Sequence, residues 1–247
     1  MKLHGRRPDE TTLTVWQVVE LARHPDRPYS LDYIKRLAPD FVEMHGDRIS
    51  GDDPALTGGV GTWHGRTTMF LGHQKGRSLK ERVARNWGMM HPEGYRKAIR
   101  LAQHAAKFNF PIVAAVIGEG GSGGALGMGV ADRVIMLENS IYSVASPEAA
   151  ASIVWRDNTR KVEAAEQLQL TSRDLLAMGV VEEVVAEPEG SARTDFEATA
   201  TALDESLHRH LTQLLGVPTA DLLQHRYERF RYIDSLIRAE PHFGPKI

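Results

Sequence analysis

The chain has 247 residues, of which 42% are hydrophobic and 25% are charged, enough to bury a core in one large or two small globular domains. Its 30 basic and 32 acidic side chains leave a formal charge of −2, which gives no overall electrostatic reason to bind nucleic acid or an anionic membrane. The lack of cysteine excludes disulfides, a thiolate nucleophile and cysteine-ligated metals. With neither a signal peptide nor the ~18-residue apolar run of a membrane span, we expect a cytoplasmic protein.

The first quarter of the chain is predicted to be helical. Thr14 and Gln17 have the spacing of a capping box, and the apolar residues after them fall on one helical face. A second, short helix is predicted to start near Ser30, after an extended proline-containing connection. We therefore expect residues 1–54 to form an N-terminal helical extension.

The pattern changes to β near residue 55. Two β-prone stretches, at 59–63 and 66–72, flank a predicted hairpin turn. Residues 75–92 are interpreted as a mobile connection. A helix is then predicted from Pro92 to about residue 108, with four apolar residues on its buried side: Ala98, Leu101, Ala102 and Ala105.

An almost unbroken apolar run at 111–118 predicts a strand covered on both faces in a parallel sheet. A glycine-rich turn follows, then a helix of small residues, one or two further strands, and a helix that begins at Ser146. Residues 55–190 thus form the predicted α/β core. Residues 191–247 are predicted to be a C-terminal helical region.

The glycine-rich turn at 118–124 is the strongest candidate site. A strand that ends in glycines and passes into a helix presents several backbone N–H groups at the positive end of a helix dipole, a physical basis for holding an anion. Gly120 and Gly121 are the predicted donors, because only residues without Cβ let a ligand oxygen approach the main chain so closely. The competing interpretation is a tight turn that needs glycine for positive φ.

A second alternative is a dinucleotide site. Gly118, Gly120 and Gly123 satisfy G-x-G-x-x-G, and Glu138 lies at the distance of a ribose-binding acid. The motif comes in mid-chain with few strands left, which weakens a dinucleotide-binding oxidoreductase. The turn lacks the Lys-Ser/Thr ending of a Walker A loop, so a nucleotide triphosphatase is not favoured.

Other side chains carry weaker signals. Lys75 and Arg77 follow a strand end together with His73, where they are predicted to steer a phosphate-rich ligand, or else to be solvated loop residues. The 11 histidines show no metal pattern, so no metal site is predicted. Ser122 has no neighbouring base, which argues against a role as nucleophile.

Several phrases of the sequence resemble one family. They are FVEMHGDR at 41–48, GHQKGR at 72–77, NWGMMHPEGYRKAIRLAQHA at 86–105 and, above all, VIGEGGSGGALGMGVADRVIMLENSIYSVASPEAAASIVW at 116–155. In this order they resemble the carboxyltransferase α subunit of bacterial-type multi-subunit acetyl-CoA carboxylase. The resemblance implies a crotonase-like fold, a superhelix of ββα units, here with helical extensions at both ends.

The resemblance also implies an activity: transfer of a carboxyl group from carboxybiotin on a biotin carboxyl carrier protein to acetyl-CoA, giving malonyl-CoA, the first committed step of fatty acid synthesis. The implied partners are a zinc-ribbon β subunit, in an α2β2 heterotetramer, and biotin carboxylase. Gly120 and Gly121 would face biotin as backbone oxyanion donors. The predicted substrate contacts around them are Gly118, Ser122, Gly123, Gly124, Lys75 and Arg77.

One departure from the family pattern lies near residues 108–113. There the family has an additional strand, a glycine–proline segment and a helix, whereas here residues 108–113 pass directly into the strand before the glycine turn. Either the protein lacks this βα unit, or the sequence joins two segments that are separated in the natural chain. A true loss leaves open a non-catalytic, structural partner of the same assembly.

Overall fold

The computed structural model describes residues 13–107 and 111–239. The chain alternates helices and strands after a helical start and finishes in two long helices. The helices are α1 Val15–Ala22, α2 Ser30–Leu37, α3 Leu79–Ala84, α4 Pro92–Ala106, α5 Ser122–Gly129, α6 Pro147–Trp155, α7 Lys161–Leu168, α8 Ser172–Ala177, α9 Phe196–Leu215 and α10 Thr219–Ala239. The strands are β1 Val42–Glu43, β2 Leu56–Trp63, β3 Arg66–His73, β4 Val113–Val116, β5 Glu119–Gly121, β6 Arg133–Leu137, β7 Ile141–Ser143 and β8 Glu183–Val185.

Three sheets organise these strands. An antiparallel sheet has the order β1-β2-β3, a parallel sheet has the order β4-β6-β8, and a parallel pair joins β5 to β7. The predicted hairpin is confirmed: β2 and β3 pair from Leu56 with His73 to Trp63 with Arg66. The predicted succession of strand, helix and parallel strand is confirmed by β4, α5 and β6.

Local sequence signals explain where several helices begin. Thr14 and Gln17 form the predicted capping box of α1, each satisfying a backbone N–H of the other residue. Ser146 caps α6 by accepting a hydrogen bond from the Ala149 N–H, with proline at the first helical position. Both predicted helix starts are confirmed. They could be predicted because each cap residue bonds to a backbone N–H only three residues further along the sequence.

The largest buried cluster draws on the whole chain. Tyr33 of α2 packs with Ile135 and Leu137 of β6, with Val185 of β8, and with Leu203 of α9. Helix α9 therefore covers one face of the parallel sheet, while α2 packs against the same cluster. Residues from all three predicted segments, 1–54, 55–190 and 191–247, contribute to this one core. The division of the chain into these segments as domains stays a prediction.

Three expectations are corrected. Residues 75–92 contain two helical elements that were not predicted, α3 and a short 3₁₀ helix at Asn86–Gly88, because Ser78 caps α3 in a capping box with Glu81; the mobility of this stretch stays a prediction. Ala102 of α4 is exposed, and the buried Lys97 takes its place on the inner face, donating from Nζ to the Leu56 carbonyl at 2.9 Å.

The third correction concerns β4. Three of its four residues are only half-buried, because β4 is the edge strand of its sheet rather than a strand covered on both faces. The predicted absence of a βα unit at 108–113 falls partly on residues 108–110, which lie outside the described residues. Within the described ranges, no helix is both long and apolar enough to cross a membrane.

Candidate functional site

The glycine turn joins strand β5 to helix α5. Gly121 is the N-cap of α5, and no side chain caps the helix. The N–H groups of the cap residue and of the first three helical residues have no acceptor within a helix, so those of residues 121–124 depend on other partners. Uncapped N–H groups at the positive end of a helix dipole are the donors that anion-binding helix N-termini use.

Strand pairing decides which of these N–H groups face a ligand. Glu119, Gly120 and Gly121 pair in parallel with residues 141–143, and the Ile141 N–H donates to the Gly118 carbonyl at 2.9 Å. Successive N–H groups of a strand point in opposite directions, so those of Gly120 and Ser122 face β7 and that of Gly121 faces away. The two predicted donors are thus placed differently, and the geometry favours the amides of Gly121, Gly123 and Gly124.

The glycines of the turn are not explained by positive φ. Among the described glycines, positive φ occurs at positions such as Gly65 and Gly88, and at none of the five in the turn. The alternative of a tight turn that needs glycine for its backbone angles is therefore wrong. In this turn the positive φ lies at Ser122, with φ of 52°, where the chain leaves β5 and enters α5.

Close approach explains some of these glycines. A Cβ on Gly120 would lie 3.0 Å from both Met128 Cε and Tyr142 Cδ2, so a side chain here would require both neighbours to shift. A Cβ on Gly121 would meet only the Ser143 carbonyl oxygen, at 4.0 Å. Gly121 therefore borders open space.

Two side chains from other elements reach the first turn of α5. His73, at the end of β3, places Nε2 3.3 Å from where a Cβ on Gly124 would stand. Tyr95, in α4, places its hydroxyl 3.3 Å from the equivalent point at Gly123. The glycines at 123 and 124 thus leave room for an imidazole and a phenol beside the free amides.

The N-terminal extension holds the strand that leads into the turn. Arg23 donates to the Glu119 carboxylate at 2.7 Å and to Glu148 of α6 at 2.9 Å. Arg27, only 2% exposed, donates from Nε to the Ile117 carbonyl at 2.6 Å. The two arginines thus hold the residues on either side of Gly118, Ile117 through its carbonyl and Glu119 through its carboxylate.

Arg27 is itself held by a buried carboxylate. Its guanidinium pairs with both oxygens of Glu187, which also accepts hydrogen bonds from the Ala192 and Asn139 N–H groups. Burial raises the pKa of Glu187, but the hydrogen bonds and charge of Arg27 and these amides outweigh it and lower the pKa below its usual value. Glu187 is therefore ionised at neutral pH, which keeps Arg27 in place.

The other predicted site residues are placed as follows. Arg77 is paired with Asp32 at 2.6 Å and its guanidinium lies over the Tyr29 ring. Lys75 is half-buried next to Gly88, and within the described ranges it forms no hydrogen bond or ion pair. Ser122 is exposed and, among the described residues, bonds to no base. Their predicted roles as substrate contacts stay predictions.

The residue proposed for ribose binding is engaged elsewhere. Glu138 accepts a hydrogen bond from the Glu187 N–H at 3.2 Å and lies 3.5 Å from the Arg173 guanidinium. This arrangement ties Glu138 to the segments after α7 rather than to the glycine turn. The part of the chain that the structure describes contains no cluster of side chains able to hold a metal ion.

Sequence reasoning missed Tyr95, Arg23 and Arg27 as site residues. Tyr95 lies 28 residues before Gly123 and the two arginines lie about 90 residues before the turn, so no local spacing links them to it. Only the packing of α1 and α4 brings them there. The one local signal for Tyr95 was its position in the first turn of the helix predicted from Pro92.

Comparison with known proteins gives a family match in two parts. The model of the family described as "Acetyl co-enzyme A carboxylase carboxyltransferase-like" matches residues 7–115 and 109–234. The chain is 46% identical over 276 residues to the acetyl-coenzyme A carboxylase carboxyl transferase subunit alpha of Synechococcus sp. strain CC9311, covering 95% of this chain and 84% of the relative. It is 44% identical over 277 residues to the protein of the same name from Prochlorococcus marinus strain MIT 9301, covering 96% and 83%.

Solved structures show a shared fold at low identity. The chain superposes on a chain of the Pseudomonas malonate decarboxylase hetero-dimer with a TM-score of 0.53, at 16% identity, over 85% of this chain and 98% of the other. A structure of transcarboxylase 12S gives a TM-score of 0.50, at 14% identity, over 72% of this chain and 42% of the other. At these identities the similarity concerns the fold alone.

Proposed function

Because this chain belongs to the acetyl co-enzyme A carboxylase carboxyltransferase-like family and has the crotonase-like fold, we propose that it is a carboxyltransferase α subunit. In this function it transfers a carboxyl group from carboxybiotin to acetyl-CoA, which forms malonyl-CoA and releases biotin, in the first committed step of fatty acid synthesis. The relatives that carry the name of this activity match more than nine-tenths of the chain.

The observation that carries the proposal is the uncapped start of α5. The amides of Gly121, Gly123 and Gly124 have no acceptor within a helix, and open space lies beside Gly121. In carboxyl transfer, negative charge develops on an oxygen of the group that gives up the carboxyl. Fixed amides directed at that oxygen stabilise the charge without having to reorganise during the reaction.

The hydrogen-bonding groups of biotin match those of this turn. The ureido oxygen of biotin is a hydrogen-bond acceptor, and the turn offers donors without a Cβ at Gly121, Gly123 or Gly124 to keep the ring away. When bound as carboxybiotin, the group would supply the carboxyl that is transferred. The chain supplies the amides that hold the oxygen and the arginine contacts that keep β5 in position.

The proposed assembly needs other proteins. Membership of a subunit family supports a β-subunit partner, for which we propose the zinc-ribbon type in an α2β2 heterotetramer. Biotin is proposed to arrive on a biotin carboxyl carrier protein, after loading by biotin carboxylase, in the cytoplasm. The acetyl-CoA side of the site is assigned to the β subunit, because the glycine turn supplies donors for one oxyanion.

We also infer that the chain lacks one βα unit. The alignment with the Prochlorococcus protein runs over 277 positions, 30 more than the 247 residues of the chain, so at least 30 of them have no counterpart here. The two family matches meet at residues 109–115. Both observations support an interruption close to residues 108–113.

The proposed activity is tested by the reverse partial reaction. The chain is mixed with a zinc-ribbon β subunit, malonyl-CoA and free biotin, and acetyl-CoA formation is followed. We expect acetyl-CoA only when both subunits are present. No acetyl-CoA, under conditions where the Synechococcus α subunit with the same β subunit is active, would contradict the proposal and favour a structural partner.

A further inference from the structure

Two polar side chains from other elements, His73 and Tyr95, lie at the first turn of α5. His73 Nε2 and the Tyr95 hydroxyl each lie 3.3 Å from the point where a Cβ on Gly124 or Gly123 would stand. Neither side chain forms a hydrogen bond or an ion pair with any residue in the described ranges.

His73 can donate a hydrogen bond to a ligand oxygen as a neutral imidazole. It is half-buried, and burial lowers the pKa of its imidazole below the usual value, against the opposing effect of the Asp53 charge. The ring is therefore neutral at pH 7, with one nitrogen that donates and one that accepts. With the proton on Nε2, the ring presents a donor 3.3 Å from the point where a Cβ on Gly124 would stand.

Asp53 does not compete for this proton. Its carboxylate accepts hydrogen bonds from the Ala55 N–H at 2.9 Å and from the His91 N–H at 2.7 Å. It is buried, and both of its oxygens have backbone donors. Asp53 thus acts on His73 through its charge, while Nε2 stays available.

We propose that His73 is a further contact residue of this site, donating a hydrogen bond from Nε2 to the same ligand oxygen that the glycine-turn amides hold, with the Tyr95 hydroxyl beside it. The inference rests on the proposed function. It adds side-chain donors from β3 and α4 to a site so far described by backbone amides alone. It also gives a reason for glycine at 123 and 124, since larger residues would displace both groups.

The test compares substitutions that keep or remove the donor at the Nε2 position. His73→Gln places an amide N–H near that position, His73→Asn reaches only the position of Nδ1, and His73→Phe keeps the ring shape without a donor. Each variant is assayed with the β subunit, malonyl-CoA and free biotin, and kcat is determined separately from the two KM values. His225→Phe, an exposed position on α10, is the matched control.

We expect His73→Phe and His73→Asn to lower kcat by ~10²-fold, the effect of losing one oxyanion donor, with little change in KM for malonyl-CoA. His73→Gln should recover most of the loss, and Tyr95→Phe should lower kcat by about 3- to 10-fold, as for a neutral hydrogen bond. The control should keep the wild-type rate.

Two results would overturn the inference. One is a wild-type kcat for His73→Phe. The other is equal impairment of all three His73 variants with a lowered melting temperature, which indicates a structural role. An inactive wild-type pair would instead overturn the proposed function itself, so the two failures are distinguishable.

Discussion

Gly120 and Gly121 are adjacent in the chain, yet a side chain would meet opposite surroundings at the two positions. At Gly120 it would collide with Met128 and Tyr142, whereas at Gly121 it would enter open space in front of α5. The amide of Gly120 faces β7 and that of Gly121 faces away from it. Gly120 is therefore constrained by packing, whereas Gly121 is the glycine that we propose to contact the ligand.

Substitutions at these two residues should separate stability from activity. Gly121→Val fits the extended backbone of β5 but fills the ligand space, so we expect turnover to fall ~10²–10³-fold with an unchanged melting temperature. Gly120→Ala forces an extra atom into a packed contact and should lower the free energy of unfolding by about 1–3 kcal/mol. Chemical denaturation and the partial reaction measure the two effects, and a Gly121→Val protein with wild-type turnover would contradict the assignment.

The buried pair of Arg27 and Glu187 should make the stability of the folded protein depend on pH in the acidic range. The pKa of Glu187 in the folded protein lies below the unfolded value of about 4.3, so its contribution is complete above that pH. The contribution is lost as pH falls through the folded-state pKa. We expect the melting temperature to drop in that range, with a smaller drop in Glu187→Gln, which is less stable at neutral pH; parallel curves for the two proteins would refute this account.

At the scale of elements, α5 is a helix with unfavourable composition. Four of its eight residues are glycine, and glycine in a helix interior is less favourable than alanine by roughly 0.5–1 kcal/mol. The glycines at 123 and 124 are explained by His73 and Tyr95, whereas nothing lies within 4 Å of a Cβ on Gly127. The start of α5 is thus constrained by the site and its middle is not.

This difference predicts opposite outcomes within one helix. Gly127→Ala should raise the free energy of unfolding by about 0.5–1 kcal/mol and leave turnover unchanged. Gly124→Ala should gain little stability, because its Cβ would press against His73, and should lower turnover. Equal turnover in the two variants, measured in the partial reaction, would speak against a site at the start of α5.

The elements differ in how far the sequence predicts them. Helices α1 and α6 follow from capping residues within three positions, and the β2–β3 hairpin follows from two β-prone stretches separated by His64 and Gly65. The half-exposed state of β4 does not follow, because an edge strand and a central strand have the same apolar sequence and differ only in their neighbours. The same reason hides Tyr95 and the two arginines from local sequence patterns.

At the scale of the whole molecule, the predicted segments share one core. Tyr33 from the N-terminal part, β6 from the middle and Leu203 from the C-terminal part pack together, and Arg23 and Arg27 secure the strand before the glycine turn. The N-terminal extension is therefore part of the support of the site. Its removal should abolish the partial reaction as well as lower stability.

The central claim, that the glycine turn of this chain is one half of a carboxyltransferase site, is tested most directly by the complete forward reaction. The chain is combined with a β subunit, biotinylated carrier protein, biotin carboxylase, ATP, bicarbonate and acetyl-CoA, and the rate of malonyl-CoA formation is measured with each component omitted in turn. We expect malonyl-CoA in the complete mixture and none without this chain or without the β subunit. No malonyl-CoA in the complete mixture, while the Synechococcus α subunit restores it, would contradict the account.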